Sequence, residues 1–315
     1  MLSRAAEALF WIGRYTERAE DTTRLLDVHV HRIIEDPAVD EAETCRVVAT
    51  VMGWHQHVPE TVRGAMDHLA FDPENPSSIV GSLTAAWRNA RGARESLSRE
   101  IWSCLNTTYV ELPQRVSAAR EFGPATFFSY VRQRAAMLSG YVGTTIRRDD
   151  GYDFLALGQS LERADMTARL LAAAVSIPAR GDHWVTTLRT CSAHEAYLRA
   201  SHRSVTGRPV VEFLLLDQLF PRSVLYALTD AERALARLEP APLQAGGRGQ
   251  AGMAWRVVGR LRTGLEFAPV DSLYDSLPER LHGIQRGVSE ASEAVAAAHF
   301  ASAAAVGWSV EVAAR

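Results

Sequence analysis

Leu9 to Leu26 reads LFWIGRYTERAEDTTRLL, and Phe154 to Leu171 reads FLALGQSLERADMTARLL. Aligned without a gap at a displacement of 145 residues, the two stretches share eight of eighteen positions. Gly13 matches Gly158, and Glu17-Arg18-Ala19 matches Glu162-Arg163-Ala164. A threonine and an Arg-Leu-Leu follow at the same spacing, and an acidic residue, Glu20 or Asp165, comes directly after each triplet. The pattern predicts an internal duplication. We expect an all-α helical bundle built from two related halves, residues 1–145 and 146–315, forming one compact body with pseudo-two-fold packing of the Glu-Arg helices.

Helical periodicity supports this reading along most of the chain, where Ala, Leu, Arg and Glu dominate and β-branched alternation is scarce. Asp36-Pro37, Asp72-Pro73 to Pro76, Gly123-Pro124, Asp149 to Gly151 and Pro178 punctuate it at intervals suited to a bundle. Val210 to Phe220 reads as a helix ended by Pro221. Thr229 to Glu232 has the form of a capping box opening another. Pro240 to Gly252 reads as a mobile loop, and Ala291 to Ala314 as a packed, Ala-rich C-terminal helix.

At about 100° per residue, one side of the first repeat carries Trp11, Ile12, Tyr15, Ala19 and Leu26. The other carries Arg14, Glu17, Asp21 and Arg24, with Phe10 among them. In the second repeat that side carries Gln159, Glu162, Met166 and Arg169. Charges set among apolar neighbours predict helices buried on both sides. Glu and the arginine seven residues later lie about 10 Å apart along one helix, so each carboxylate needs a partner elsewhere. Antiparallel packing would place Glu17 against Arg169 and Glu162 against Arg24. Such a cluster is either an ionic core that sets the register of the halves or a pocket at their interface, where Glu and Arg bind an amino or carboxylate group of a peptide or amino-acid ligand. In the second case Arg14, Glu17, Arg18, Arg24, Glu162, Arg163 and Arg169 are the binding candidates.

Composition excludes several chemistries. All 34 basic residues are arginine, so the chain has no lysine for a Walker phosphate loop, a Schiff base or general-base catalysis. A formal net charge of −3 provides no global attraction to nucleic acid. Three dispersed cysteines, Cys45, Cys104 and Cys191, read as buried thiols of a reducing cytoplasm. Glu279 to His282 is a single Glu-x-x-His where a di-metal bundle needs two, so neither a metal nor a cofactor is expected. No apolar run is long enough for a membrane span. Arg88, Arg91, Glu95 and Arg99 fall on one helical stripe, making Arg88, Arg91 and Arg99 secondary anion-binding candidates. Asn106 just beyond could cap that helix.

Met1 to Arg4 leading into Trp11 to Glu20 resembles the start of the bacterial alpha-E family of helical domains. Leu157-Gly158 and Leu161 to Asp165 resemble its second Glu-Arg copy. Asn89 to Asn106, Phe213 to Asp217 and Phe220 to Ser223 are similar to further family blocks. The resemblance implies company more than chemistry. Alpha-E proteins are encoded beside, or fused to, circularly permuted ATP-grasp proteins, and transglutaminase-like proteases accompany them. It therefore implies an accessory or binding subunit of a peptide-synthesis or peptide-modification system. An amide-forming enzyme component, with Glu17 or Glu162 as base, and a structural oligomerisation module are the alternatives.

Overall fold

The computed structural model describes residues 2–54, 56–176, 183–201, 203–239 and 252–300. The described residues form fourteen α-helices and no strand. The first set is α1 (Ser3–Glu35), α2 (Glu41–Met52), α3 (Val62–Met66), α4 (Ile79–Gly92), α5 (Arg99–Phe122) and α6 (Ala125–Thr145). There follow α7 (Asp150–Ser176), α8 (His183–Thr190), α9 (His194–Ala200), α10 (Gly207–Leu216) and α11 (Val224–Leu238). The chain continues with α12 (Met253–Glu266), α13 (Val270–Asp275) and α14 (Leu277–His299). A π-helical turn, Asp67–Phe71, extends α3, and a 3₁₀ turn, Arg94–Ser96, separates α4 from α5.

Side-chain caps set where several helices begin. Asp40 accepts from the Glu43 amide at 2.7 Å, and Ser78 accepts from the Gly81 amide at 2.8 Å. Ser223 does the same for Tyr226, so α11 begins five residues before the expected box at Thr229, which lies inside the helix. The serine cap acts first because its hydroxyl reaches the amide three residues on, leaving Thr229 to bond the Leu225 carbonyl. The helix expected over Val210 to Phe220 stops at Leu216, because the Asp217 carboxylate accepts the Leu219 and Phe220 amides and turns the chain. The Pro178 break lies outside the described residues, as does the loop expected over Pro240 to Gly252 except for Gly252 itself. Of the C-terminal helix expected over Ala291 to Ala314, the described part belongs to α14, which ends at His299, and everything after Phe300 lies outside the described residues.

Helices α1 and α7 occupy the centre and are buried on most faces. Each packs on a similar set of neighbours: α4 and α6 cover α1, while α11 and α14 cover α7. Helix α8 meets α1, and α2 meets α7. Leu9, Phe10, Ile12, Leu157 and Leu161 are completely shielded at this centre, where burial of each large apolar side chain contributes about 1.5–3 kcal/mol.

The backbones of α1 and α7 touch at two glycines. A Cβ on Gly13 would sit 2.1 Å from the Leu155 carbonyl oxygen, and one on Gly158 would sit 2.1 Å from the Phe10 oxygen. Only glycine permits this approach.

Candidate functional site

One turn beyond the glycines, the two Glu-Arg motifs exchange partners. Arg163 donates from Nε and Nη2 to the two Glu17 oxygens, both at 2.8 Å. Reciprocally, Arg18 donates to the two Glu162 oxygens at 2.5 and 3.0 Å. Each glutamate thus receives a two-point fork from the arginine beside the other glutamate, the strongest neutralising geometry for a carboxylate.

This pairing corrects the expected one. Glu17 does not pair with Arg169, nor Glu162 with Arg24. Arg169 bonds Asp165 at 2.8 Å, and Arg24 bonds Glu20 at 3.1 Å, each one turn away on its own helix. The cause is the sense of the crossing. Contacts advance from Phe10 and Gly158 to Arg18 and Glu162, upward along both helices, so α1 and α7 cross in the parallel sense rather than antiparallel. A parallel crossing pivoted at the glycines brings the motif turns together and carries residues 24 and 169 past them.

Both carboxylates recruit a second guanidinium, by different routes. Arg14 donates to Glu162 at 2.5 Å and to the Ser292 hydroxyl on α14 at 2.6 Å. Glu17 is met by Arg222, whose Nη1 lies 3.0 Å away and which also contacts Glu20 at 3.0 Å and Asp21. Gln159, displaced by 145 residues from Arg14, completes the shell of Glu17 with a 2.9 Å bond.

The electrostatics follow from these contacts. Burial pushes the Glu17 carboxyl up, but the Arg163 and Arg222 guanidiniums outweigh it and hold its pKa at about 2. At Glu162 burial is likewise outweighed, by Arg14 and Arg18, and the group lies below its ordinary value. Asp21 goes the other way. Burial raises it to about 7; Arg222 opposes this, and Glu17 and Glu20 reinforce it. Its Oδ2 is buried without a hydrogen-bond partner. Cys191 beside it is pushed up to about 12 by burial. All three cysteines are buried free thiols.

Arg222 is the principal residue that the sequence reading did not place in the site, although it sits in the Phe220 to Ser223 block. A signal for it exists. The 145-residue displacement that aligns the Glu-Arg motifs also aligns Asp72, Pro76 and Ser78 with Asp217, Pro221 and Ser223. Ser78 and Ser223 each donate to the carbonyl of the matching aspartate and cap the following helix. Arg222 occupies the position equivalent to Ser77.

The arginine stripe is broken. Arg88 and Arg91 end α4, the 3₁₀ turn intervenes, and Arg99 is the first residue of α5. The Leu97 amide closes that turn on the Arg94 carbonyl, ending helical continuity. All three arginines are exposed, and Arg91 lies 5.2 Å from the Trp87 ring. Asn106 is inside α5, not a cap, and accepts from the Trp87 indole at 3.1 Å.

A family model for Alpha-E, described as a predicted alpha-helical domain with a conserved ER motif, matches residues 1–300. The chain belongs to the Alpha-E family. Curated proteins similar to this Alpha-E chain include uncharacterized proteins of Mycobacterium bovis and Mycobacterium tuberculosis, each 28% identical over 332 residues. The alignment covers 95% of this chain but 37% of each relative, so the chain spans little more than a third of their length. No solved structure matches. No helix among the described residues is long and apolar enough to cross a membrane.

Proposed function

We propose that this Alpha-E chain is an accessory or binding subunit of a peptide-synthesis or peptide-modification system. A circularly permuted ATP-grasp protein and a transglutaminase-like protease are its proposed partners, and the cytoplasm its compartment. One observation carries the choice of binding over catalysis: the motif carboxylates are already spent on arginines. Glu17 accepts from Arg163 twice and from Gln159, and the Arg222 guanidinium lies 3.0 Å away as a further ion pair, so the carboxylate is enclosed by groups already committed to it. A base held at about 2 has little affinity for a substrate proton near neutrality. The Glu-Arg residues therefore serve to join residues 1–145 and 146–315 into one body. Exposed Arg88, Arg91 and Arg99 are the groups proposed to meet an anionic partner.

The test is reconstitution of the ATP-grasp protein with ATP and candidate amino acids, read by mass spectrometry with and without this chain. The reading expects amide-bonded product from the ATP-grasp protein alone, and a stable complex once the chain is added. Product that forms only with the chain, and is lost in a normally folded Glu162→Gln variant that still binds the partner, would overturn it.

A further inference from the structure

A cavity of about 140 Å³ lies between α1, α6 and α7, directly against the Glu17 side of the crossing. At the roughly 30 Å³ that one water occupies in the liquid, this is room for about five non-hydrogen atoms. Ile12, Leu138 and Leu155 form its apolar wall, and Glu17, Glu20 and Gln159 supply its polar side.

Its origin is visible in the other half. Helix α14 packs on α7 as α6 packs on α1, and at a displacement of 153 residues four buried positions of α6, Phe128, Val131, Leu138 and Val142, meet buried Leu281, Ile284, Ala291 and Val295. That register places Ser292 where α6 has Ser139. On the Glu162 side, the Arg14 guanidinium bridges Glu162 to Ser292. On the Glu17 side the equivalent residue is Gln159, which reaches Glu17 at 2.9 Å and ends there. Ser139 then faces the cavity, which is exposed at this point. The cavity therefore occupies the place that a guanidinium fills on the opposite side.

Charge points the same way. Two carboxylates, Glu17 and Glu20, line the cavity, and no arginine is among its lining residues.

We propose that this cavity binds a guanidinium group, such as the end of an arginine side chain in a peptide, set between Gln159, Glu20 and Ser139. The apolar wall receives the methylene stem, and the open edge at Ser139 lets the rest of the ligand extend into solvent. The proposal rests on the reading of the chain as a binding subunit and names the group it binds.

The test titrates the isolated full chain with methylguanidinium chloride by calorimetry, with urea as the neutral isostere and potassium chloride to match ionic strength. Saturable binding in the millimolar range is expected for methylguanidinium, and none for urea. Gln159→Arg supplies the missing guanidinium from within the chain and should weaken binding at least tenfold. Ser139→Phe, at an exposed position, should do the same by closing the mouth. Absence of saturation with methylguanidinium, equal binding of urea, or unchanged affinity in both variants would overturn the proposal. Because no partner protein takes part, failure here is distinct from failure of the reconstitution.

Discussion

Glu17 and Arg163 meet through two parallel hydrogen bonds of 2.8 Å across the crossing of α1 and α7, and the Glu17 side chain is fully shielded from solvent. Arg18 and Glu162 form the reciprocal pair 145 residues out of phase. The two central helices are thus tied at one turn by groups that cannot be left unpaired. A buried charge stripped of its partner costs several kcal/mol, whereas the intact pair roughly balances its own desolvation. The motif therefore fixes which arrangement forms more than it adds to stability.

The glycine contact is the first place to probe this. Gly13→Ala or Gly158→Ala drives a methyl group into a backbone carbonyl that cannot move aside. Each should destabilise by about 1–3 kcal/mol, the usual cost of overpacking. Gly140→Ala in α6, where a Cβ meets nothing within 4 Å, should be neutral or stabilise by up to about 1 kcal/mol. Urea denaturation of the three variants checks the contrast.

Arg222 touches three carboxylates at once, so its removal should match that of a motif residue. Arg222→Gln should cost about 3–5 kcal/mol in a denaturant melt. Arg222→Lys should not restore the loss, because an ammonium cannot present the planar set of donors now shared by Glu17, Glu20 and Asp21.

Asp21 sets a pH dependence of definite sign. Its carboxyl moves from an ordinary 3.8 to about 7 in the folded chain, so the native state holds its proton more tightly than the unfolded state. The stability tied to that proton is complete below about 4 and is lost as the pH rises through 7. Asp21→Asn keeps an oxygen for Arg222 and removes the titration. Its stability relative to wild type should increase from pH 4 to pH 7 and then level off. A difference that stays flat over that range would mean that Asp21 ionises normally.

The helical fold class is legible in the sequence because long amphipathic stretches bounded by Asp, Ser, Gly and Pro leave few alternatives. Burial of Glu17 and Glu162 is legible too, from charges lying on a face that also carries Phe10 and Met166. The partners are not. Periodicity assigns residues to helix faces but carries no information about whether two helices cross in parallel or antiparallel sense. Gly13 and Gly158 fix where the two helices touch, through a backbone contact invisible to a hydrophobic pattern, and the sense of crossing shows only in the pairs that follow it. Arg222 is hidden for a different reason: it precedes α11 in a turn, where no helical period points toward α1. The arginine stripe misleads because helical spacing of three and four residues runs on in sequence through the 3₁₀ turn at Arg94–Ser96, where the helix does not.

The exchange of partners between the two motifs is tested most directly by a double-mutant cycle. Stability by denaturant unfolding is measured for Glu17→Gln, Arg163→Gln and the double variant, and again with Arg169→Gln in place of Arg163→Gln. Each motif substitution should cost about 3–5 kcal/mol alone. The Glu17–Arg163 double variant should cost less than the sum by about 1–3 kcal/mol, while Glu17 and Arg169 should add. Additivity between Glu17 and Arg163 together with coupling between Glu17 and Arg169 would contradict the parallel crossing and the lock built on it.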